Sequence, residues 1–466
     1  MDGYSMIEQL HATAGKQSLP GKRAGSLIVA ALAFACTNAL AQSVPEPSEP
    51  EDLAPLSSSE QGQVSLDESF APKTRRERIR EQRKQALEDT KADVQFRTYY
   101  LDRDKFDGSE STALTAGGRA GFKTGYFRDR IAIGATAYTS QKLYGPEDRD
   151  GTLLLKPGQQ GYTVIGEVYG QFRLNDDIML DIGRKELESP YINKQDNRMT
   201  PNTFETIMLG GTVATGGSGG EWRFGLGYVD EMKKRNATEF VSMAQAAGAL
   251  AGVERGVYAG GVNFKQGELS IGAVNYYSDD IMNTFYTEAR YGVPLSEDRV
   301  KLKFAAQYSA QDSTGDELLT GGSFSTSQFG LKAELAVGSA LFSTAWNSTG
   351  DGADLRSPWG SIPSYNSVQV QDFNRAGEDS LMLRAAYSFK SVPNLSAYAL
   401  WVNGSQPEDP GQSAQDEYDL NLQWTGTSGS FKGFSVRARY AVVTQDMGGP
   451  DLQDFRLIFN YDPPGL

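Results

Sequence analysis

The chain has one histidine, His11, and one cysteine, Cys36, in 466 residues, and both fall within residues 1–41, a stretch that reads as an export signal. A mature chain with neither imidazole nor thiol cannot build a Ser-His-Asp triad, a cysteine nucleophile, a Cys/His zinc site, an iron–sulfur cluster or a disulfide. Carboxylate, hydroxyl or lysine chemistry is all that remains, and no cofactor or metal is expected. Long apolar runs are also missing. The longest, Leu27 to Cys36, is about ten residues, roughly half of what a spanning helix needs, which excludes a bundle of membrane helices.

What the chain has is glycine and aromatic residues, 51 Gly, 22 Tyr and 22 Phe, beside 39% hydrophobic and 22% charged residues. That mixture favours short aromatic strands and turns. Residues 1–41 carry Lys16, Lys22 and Arg23, an apolar core from Ser26 to Cys36, and Ala39-Leu40-Ala41 as a small-x-small cleavage site, so the mature chain is expected to begin at Gln42. Translation from Met6, or acylation at Cys36, are the alternatives. Ala33-Phe34-Ala35 lacks the leucine usual at the start of a lipoprotein box.

Residues 42–93 read as an extension in two parts. From Gln42 to Phe70 there are seven acids, no bases and several Pro and Ser, the composition of a disordered linker. From Lys73 to Asp93, Arg75, Arg76, Arg78, Arg80, Arg83 and Lys84 are interleaved with Glu77, Glu81 and Glu88. Glu77/Glu81 and Glu81/Gln85 stand at helical spacing, which predicts a short solvated helix.

From Val94 onward the period becomes two. Val300, Leu302, Phe304, Ala306 and Tyr308 alternate with Lys301, Lys303, Ala305 and Gln307, and the same pattern recurs in Trp222/Phe224/Leu226/Tyr228 and Phe455/Leu457/Phe459/Tyr461. Strands are predicted near 94–101, 113–124, 130–140, 161–174, 177–186, 204–214, 220–229, 256–264, 268–277, 283–291, 299–309, 327–337, 340–347, 379–389, 395–403, 416–425, 432–444 and 453–461. Alternation alone also fits a soluble sandwich. The connections decide: Asn175-Asp176, Lys265-Gln266-Gly267 and Gly338-Ser339 are tight, whereas Leu187 to Thr203, Asp230 to Arg255 and Ser348 to Gly377 are long, and the two kinds alternate strictly. Short turns at one end, long loops at the other and an even strand count predict an all-β fold, a transmembrane antiparallel up-and-down β-barrel of about eighteen strands over residues 94–466.

The net charge of −14 is unevenly placed. Residues 1–41 carry +1, 42–93 carry −4 and the barrel −11, while the long loops alone hold about −13, so strands and turns are near +2. Strand by strand, the non-lipid face carries Arg97, Arg119, Lys123, Arg223, Arg290, Lys301, Lys303, Lys332, Arg384, Arg437, Arg439 and Arg456, against fewer acids such as Glu167, Asp181, Glu288, Glu334 and Asp419. A lysine or arginine facing lipid at mid-depth would cost about 2–4 kcal/mol, so these groups point into a wet lumen. Cations in a narrow low-dielectric passage focus the field and guide anions. Structural pairing with acids is the plainer alternative.

Phe96-Arg97-Thr98-Tyr99-Tyr100-Leu101-Asp102-Arg103-Asp104 resembles the first strand of the OprD-like substrate-specific porins, and Tyr191 to Glu205 resembles their third-loop region. Pro358-Trp359-Gly360, Asp372 to Glu378 and the terminal Asp454 to Tyr461 are similar as well, so the resemblance spans nearly all of 94–466. It implies an eighteen-stranded barrel in the bacterial outer membrane, usually monomeric. It also implies third and seventh loops folded inward and a basic ladder that passes small carboxylate-bearing nutrients by facilitated diffusion. Three features depart from the family: no histidine in the barrel, an end at Leu466 after Tyr461, and the 42–93 extension.

Within the candidate constriction loops, 187–203 and 348–378, Tyr191, Asn193, Asp196, Asn197, Arg198 and Asn202, and then Asp351, Asp354, Arg356, Trp359, Tyr365, Arg375 and Glu378, offer polar groups and aromatic rims that suit a constriction. Ion pairs Asp196/Arg198 and Arg375/Glu378 that merely fix loop shape are the competing reading. The expected function is an outer-membrane porin for small polar solutes bearing carboxylates, such as amino acids or organic acids. The alternatives are an oligosaccharide-selective porin or a structural, adhesive barrel. A barrel hydrolase is set aside for want of a histidine. Expected partners are outer-membrane lipid and lipopolysaccharide and small-molecule solutes, with no nucleic acid; 73–93 is the candidate for a periplasmic or cell-wall contact, and a monomer is favoured. The intact mass of the exported protein should match a chain starting at Gln42 without lipid; a diacylated Cys36 would overturn this.

Overall fold

The structure, a computed structural model, describes residues 75–215, 219–296 and 300–464; the signal region and the acidic linker lie outside the described residues. Nineteen strands follow one helix, α1 (Arg75–Glu88). The first are β1 (Lys91–Asp104), β2 (Glu110–Lys123), β3 (Ile131–Tyr144), β4 (Tyr162–Arg173), β5 (Ile178–Lys185) and β6 (Thr203–Thr215). Next come β7 (Gly220–Lys233), a two-residue β8 (Val241–Ser242), the short helix α2 (Met243–Ala247), β9 (Val257–Gln266), β10 (Leu269–Ser278), β11 (Met282–Ser296), β12 (Val300–Ser313) and β13 (Ser325–Val337). The last are β14 (Ala340–Thr349), β15 (Asp379–Phe389), β16 (Leu395–Gly404), β17 (Gln415–Thr425), β18 (Phe434–Gln445) and β19 (Leu452–Tyr461).

Each long strand pairs antiparallel with its sequence neighbours, β7 pairs directly with β9, and β8 is only a spur on β7. The first strand also pairs with the last, in the register Phe96↔Tyr461 to Asp104↔Gln453. Eighteen strands therefore close on themselves and leave no edge. The β1–β2 pair twists tightly at Gly118, where φ is +139° and a Cβ would lie 1.8 Å from the Gln95 carbonyl oxygen; only glycine fits there.

All eighteen expected strands are present, and most run further at the loop end than the apolar alternation suggested. The first expected connection shrinks to 105–109, because Asp102, Arg103 and Asp104 continue the ladder opposite Thr112, Ser111 and Glu110. Above the lipid belt both faces of a strand are wet, so pairing goes on after the hydrophobic pattern stops. The strict alternation of connection lengths is corrected accordingly. At one end the connections 145–161, 186–202, 234–256 and 350–378 are long, but 105–109 and 279–281 on the same side are as short as turns. Among the described residues, the opposite end holds tight turns, such as 174–177, 267–268 and 338–339, and nothing longer than the eight residues 426–433.

The outer face is the apolar one. Phe96, Ile133, Ile165, Ile207, Trp222, Phe304, Leu331, Phe342, Leu383, Leu420 and Phe459 are exposed, a surface that lipid covers. Near the turn end Tyr461 stacks between Phe96 and Phe434, with ring centroids 6.3 and 4.2 Å away, so an aromatic brace holds the closing seam. The buried core lies inside the barrel, where loops meet inward-facing wall residues: Tyr276 and Tyr286 pack with Tyr191, Met243 and Trp359, and Tyr99 and Leu101 with Leu154, Leu155 and Met199.

The charged segment does form the predicted helix. α1 is exposed except near Ala86, whose carbonyl accepts the Gly125 N–H at 2.9 Å. A Cβ on Gly125 would meet the Asp89 Cβ at 2.5 Å, so this glycine lets the helix end close on the β2–β3 turn. The helix therefore stands at the turn end of the barrel. Single cysteines placed at Thr314, in the loop before β13, and at Ser339, in the β13–β14 turn, should label from opposite sides of the membrane. Labelling from one side would sink the topology.

Candidate functional site

The lumen is narrowed by two loops that lean inward and hold each other. The Asn193 amide donates to the Ser361 carbonyl at 3.0 Å, while its Oδ1 accepts from the Ser361 N–H at 2.9 Å and hydroxyl at 3.0 Å. Trp359 is fully buried and donates from Nε1 to the Met243 carbonyl at 2.9 Å, which brings the 234–256 connection into the same clasp. The first loop, 186–202, is fastened to the wall by Tyr191, whose hydroxyl donates to Ser309 Oγ at 2.7 Å. The second, 350–378, is fastened by Tyr365 to Glu288 at 2.9 Å, and by the Val370 and Gln371 N–H groups donating to Glu417 at 2.8 and 2.7 Å. Gln369 is gripped further by Asp419, Asp454 and Arg456.

The loop residues thus sort by burial. Tyr191, Asn193, Arg198, Asn202, Trp359, Tyr365 and Glu378 are buried and occupied in holding the loops, whereas Asn197, Asp351 and Asp354 remain open to water. Asp354 accepts the Ala376 N–H at 2.8 Å, and Arg356 lies over the Phe324 ring at 3.9 Å. The Arg375–Glu378 ion pair forms at 2.5 Å, with Arg375 also donating to the Ser413 carbonyl. The Asp196/Arg198 pair of the same competing reading does not. The backbone turns at Gln195, where φ is +43°, and Asn197 N–H closes on the Gln195 carbonyl. Asp196 is left to pair with Arg97 at 2.7 Å, while Arg198 donates to the Thr152 and Asn197 carbonyls.

The twelve wall cations all stand on the face opposite the lipid-facing residues, but they are of two kinds. Six are matched by acids: Arg97 by Asp196, Arg119 by Asp93 at 2.6 Å, Arg223 by Glu221, Arg290 by Glu288 at 2.9 Å, Lys332 by Glu334 at 2.7 Å and Arg456 by Asp454 at 2.5 Å. Lys123 donates to Gln171 at 2.6 Å, and Lys301 and Lys303 are exposed in the lumen. Arg384, Arg437 and Arg439 form no ion pair among the described residues. They gather around Tyr398: Arg384 lies 4.4 Å from its ring centroid, Arg439 donates to its hydroxyl at 3.3 Å, and Arg437 donates to the neighbouring Asn421 at 2.6 Å. Register orders them along the passage, since Arg103 and Asp454 lie level with Ala441, Arg456 with Arg439, and Ile458 with Arg437. Successive inward positions on a strand rise by about 7 Å.

Acids line a different sector. The Tyr138 hydroxyl donates to Glu167 at 3.0 Å and Glu186 at 2.8 Å, and Lys194 bridges Glu186 and Glu188. Burial, with Glu167 close by, pushes the Glu186 carboxyl up. A cavity of about 440 Å³ opens there beneath the first loop, lined by Asp181, Lys185, Glu186 and Arg223 among others.

Two charged loop residues, Arg235 and Asp372, are not among the sequence-based candidates. Arg235, half-buried in the 234–256 connection, donates to Asn197 Oδ1, and burial among Arg456 and Arg103 pushes it down to about 10. Burial together with Arg456, Arg235 and Arg103 also holds Arg198 well below the usual arginine range. Asp372, although open to water, is enclosed by protein, and that enclosure pushes its carboxyl up. Asp372 lies in the Asp372 to Glu378 stretch that resembles the family, whereas no motif marks Arg235.

A closed barrel with inward-folded loops over a cationic wall is matched by a family model of outer membrane porins, which covers residues 84–464. The chain belongs to the OprD family. It is 24% identical to Porin D of Pseudomonas aeruginosa over 418 residues, which is 80% of this chain and 91% of that protein. The barrel superposes on OccK9 (OpdG) of Pseudomonas aeruginosa with a TM-score of 0.71 at 22% identity, and on OccAB2 of Acinetobacter baumannii with 0.71 at 20%. Each comparison covers 81% of this chain and 99% of the other. The porin thus sits in the outer membrane, its turn end facing the periplasm and its long loops outward. The family is one of channels.

The clasp gives a direct test. Replacing Asn193 by Ala removes hydrogen bonds from a buried amide and leaves partners unsatisfied, a loss of roughly 1–3 kcal/mol. Single-channel recordings of the N193A porin should show larger and noisier open levels, with a barrel that still resists unfolding in detergent. Unchanged conductance would place the narrowing elsewhere.

Proposed function

We propose that this porin passes small solutes that carry a carboxylate together with a second polar or cationic group, by passive diffusion along its wall cations. The observation that carries the reading is the cluster of Arg384, Arg437 and Arg439 around Tyr398, three guanidinium groups that form no ion pair among the described residues, on one side of the lumen. Each gives up some water on entering the wall, and a passing carboxylate replaces it with a charge-assisted hydrogen bond. The acids Glu167, Asp181 and Glu186 on the β4–β6 side offer a counterpart for a cationic substituent. A solute with both charges can lie across the passage, whereas a simple anion meets the acidic loops first. OpdK of Pseudomonas aeruginosa, a solved structure with vanillate, has the same barrel at a TM-score of 0.69 and 19% identity, covering 81% of this chain and 99% of that one. Vanillate is a carboxylate, which agrees with this cargo class. One chain closes the passage by itself, so a monomer suffices.

Changing Arg437 and Arg439 together to Gln removes charge on the lumen face while Phe434, Val436 and Ala438 keep the opposite face. Uptake of carboxylate-bearing amino acids or organic acids into proteoliposomes should fall several-fold. Neutral-sugar leakage and assembly should stay as in the parent. Equal loss for charged and neutral solutes would mean the cations serve the wall alone, and a preference for neutral oligosaccharides would replace the proposed cargo.

A further inference from the structure

The helix ahead of the barrel has its charges sorted by face. Arg76, Arg80, Arg83 and Leu87 recur at the three- and four-residue spacing that places side chains on one side of a helix, and all four are exposed. Leu87 is 70% exposed, an apolar side chain left among cations. Glu81 and Glu88 stand off that side, where Lys84 pairs with Glu88 at 3.6 Å. The better covered positions, Ile79, Gln82 and Ala86, share a further side.

The cationic face is aimed by its contact with the β2–β3 turn. The Gly125 N–H donates to the Ala86 carbonyl at 2.9 Å, a fit that depends on the missing Cβ. From the helix, Arg83 lies 6.0 Å from the centroid of the Phe127 ring; from the turn, Arg128 lies 5.4 Å from the same centroid. Two guanidinium groups from two elements are thus drawn to one ring. Neither forms an ion pair among the described residues, and the turn's own acid, Asp129, is taken by Arg173. Beside these cations begins the exposed apolar wall. Phe122 is 45% and Ile131 38% exposed, and Ile131 follows Arg130 directly, so the cations stand at the edge of the surface that lipid covers.

We propose that α1 and the β2–β3 turn form a docking surface for an anionic phospholipid of the periplasmic leaflet. Arg83 and Arg128 take the headgroup phosphate, Arg76 and Arg80 meet neighbouring headgroups, and Phe122 and Ile131 lie against acyl chains. Carboxylates of the cell-wall polymer would satisfy the arginines but offer nothing to Leu87, Phe122 or Ile131, so the apolar half of the surface favours lipid. The site is separate from the passage and does not depend on which solute passes.

Native mass spectrometry of the full-length porin in detergent, supplemented with phosphatidylglycerol or with phosphatidylcholine, reads the lipid retained. The parent should keep phosphatidylglycerol in preference to phosphatidylcholine. Arg83→Gln combined with Arg128→Gln should weaken that retention by about thirtyfold, the scale of two cations at an anionic surface. Gly125→Val keeps every charge but drives the helix end away from the turn, and it should weaken retention too. Heat-modifiable migration on gels verifies that each variant is a folded barrel. Equal retention of the two lipids by the parent, or undiminished phosphatidylglycerol retention in either variant, would overturn the proposal. So would binding to purified cell-wall sacculi that R83Q/R128Q abolishes, in place of a lipid preference. Solute uptake enters none of these readouts, so failure here is distinguishable from failure of the cargo proposal.

Discussion

Lipid offers no hydrogen bonds, so every N–H and C=O of a segment crossing it needs a partner in the chain, and a sheet can meet that demand only by closing. The seam between the first and last strands is where this demand is met. Nine residues from Phe96 to Asp104 pair with Tyr461 back to Gln453, and aromatic rings brace the turn end of that seam. Closure fixes which face of each strand meets lipid, because a slip of one residue would turn Arg97, Arg437 and Arg439 outward and Phe96, Val436 and Phe459 inward. The position of every lumen cation is therefore a consequence of register.

A closed barrel of this circumference would leave a wide aqueous hole, and the loops convert it into a passage. They can enter because parts of the inner wall are not polar at all. Tyr276 and Tyr286 receive Tyr191, while Met382 and Val402 pack with Tyr365 and Phe373, so the loops dock by burying apolar surface where a uniformly wet lumen would reject them. Once docked, the buried amide of Asn193 and indole of Trp359 set the position of one loop against another. Hydrophobic burial makes the infolding favourable, and hydrogen bonds to backbone groups make it specific.

Strand number and facing were legible because period-two alternation records them directly. Strand length was not: Asp102 to Asp104 have no apolar side to mark, yet they pair. The partners of the loop residues were less legible still. Spacing allows Arg198 to pair with Asp196, but the turn at Gln195 sends it to the carbonyl of Thr152, a residue 46 positions away. A clue did lie in the sequence, since Tyr99, Leu101, Tyr276 and Tyr286 occupy the inward face of strands that were treated as polar there. Apolar residues on a wet face mark a docking place for a loop, though not which loop comes.

The division of charge between loops and wall then has a physical sense. On the proposed reading, acidic outer loops would keep free anions dilute at the mouth, while wall cations such as Arg97 and Lys332 are paired with acids and contribute little net field beyond them. On the same reading, what remains effective is a short series of groups with no ion pair among the described residues, Arg384, Arg437 and Arg439 around Tyr398. Binding at each must stay weak for a solute to leave, and the arrangement secures that by competition. Asn421 and Tyr398 already accept from Arg437 and Arg439, so an arriving carboxylate competes with hydrogen bonds in place and gains less than it would from a bare guanidinium. A passage lined by wholly unoccupied arginines would hold its anions too tightly to conduct them.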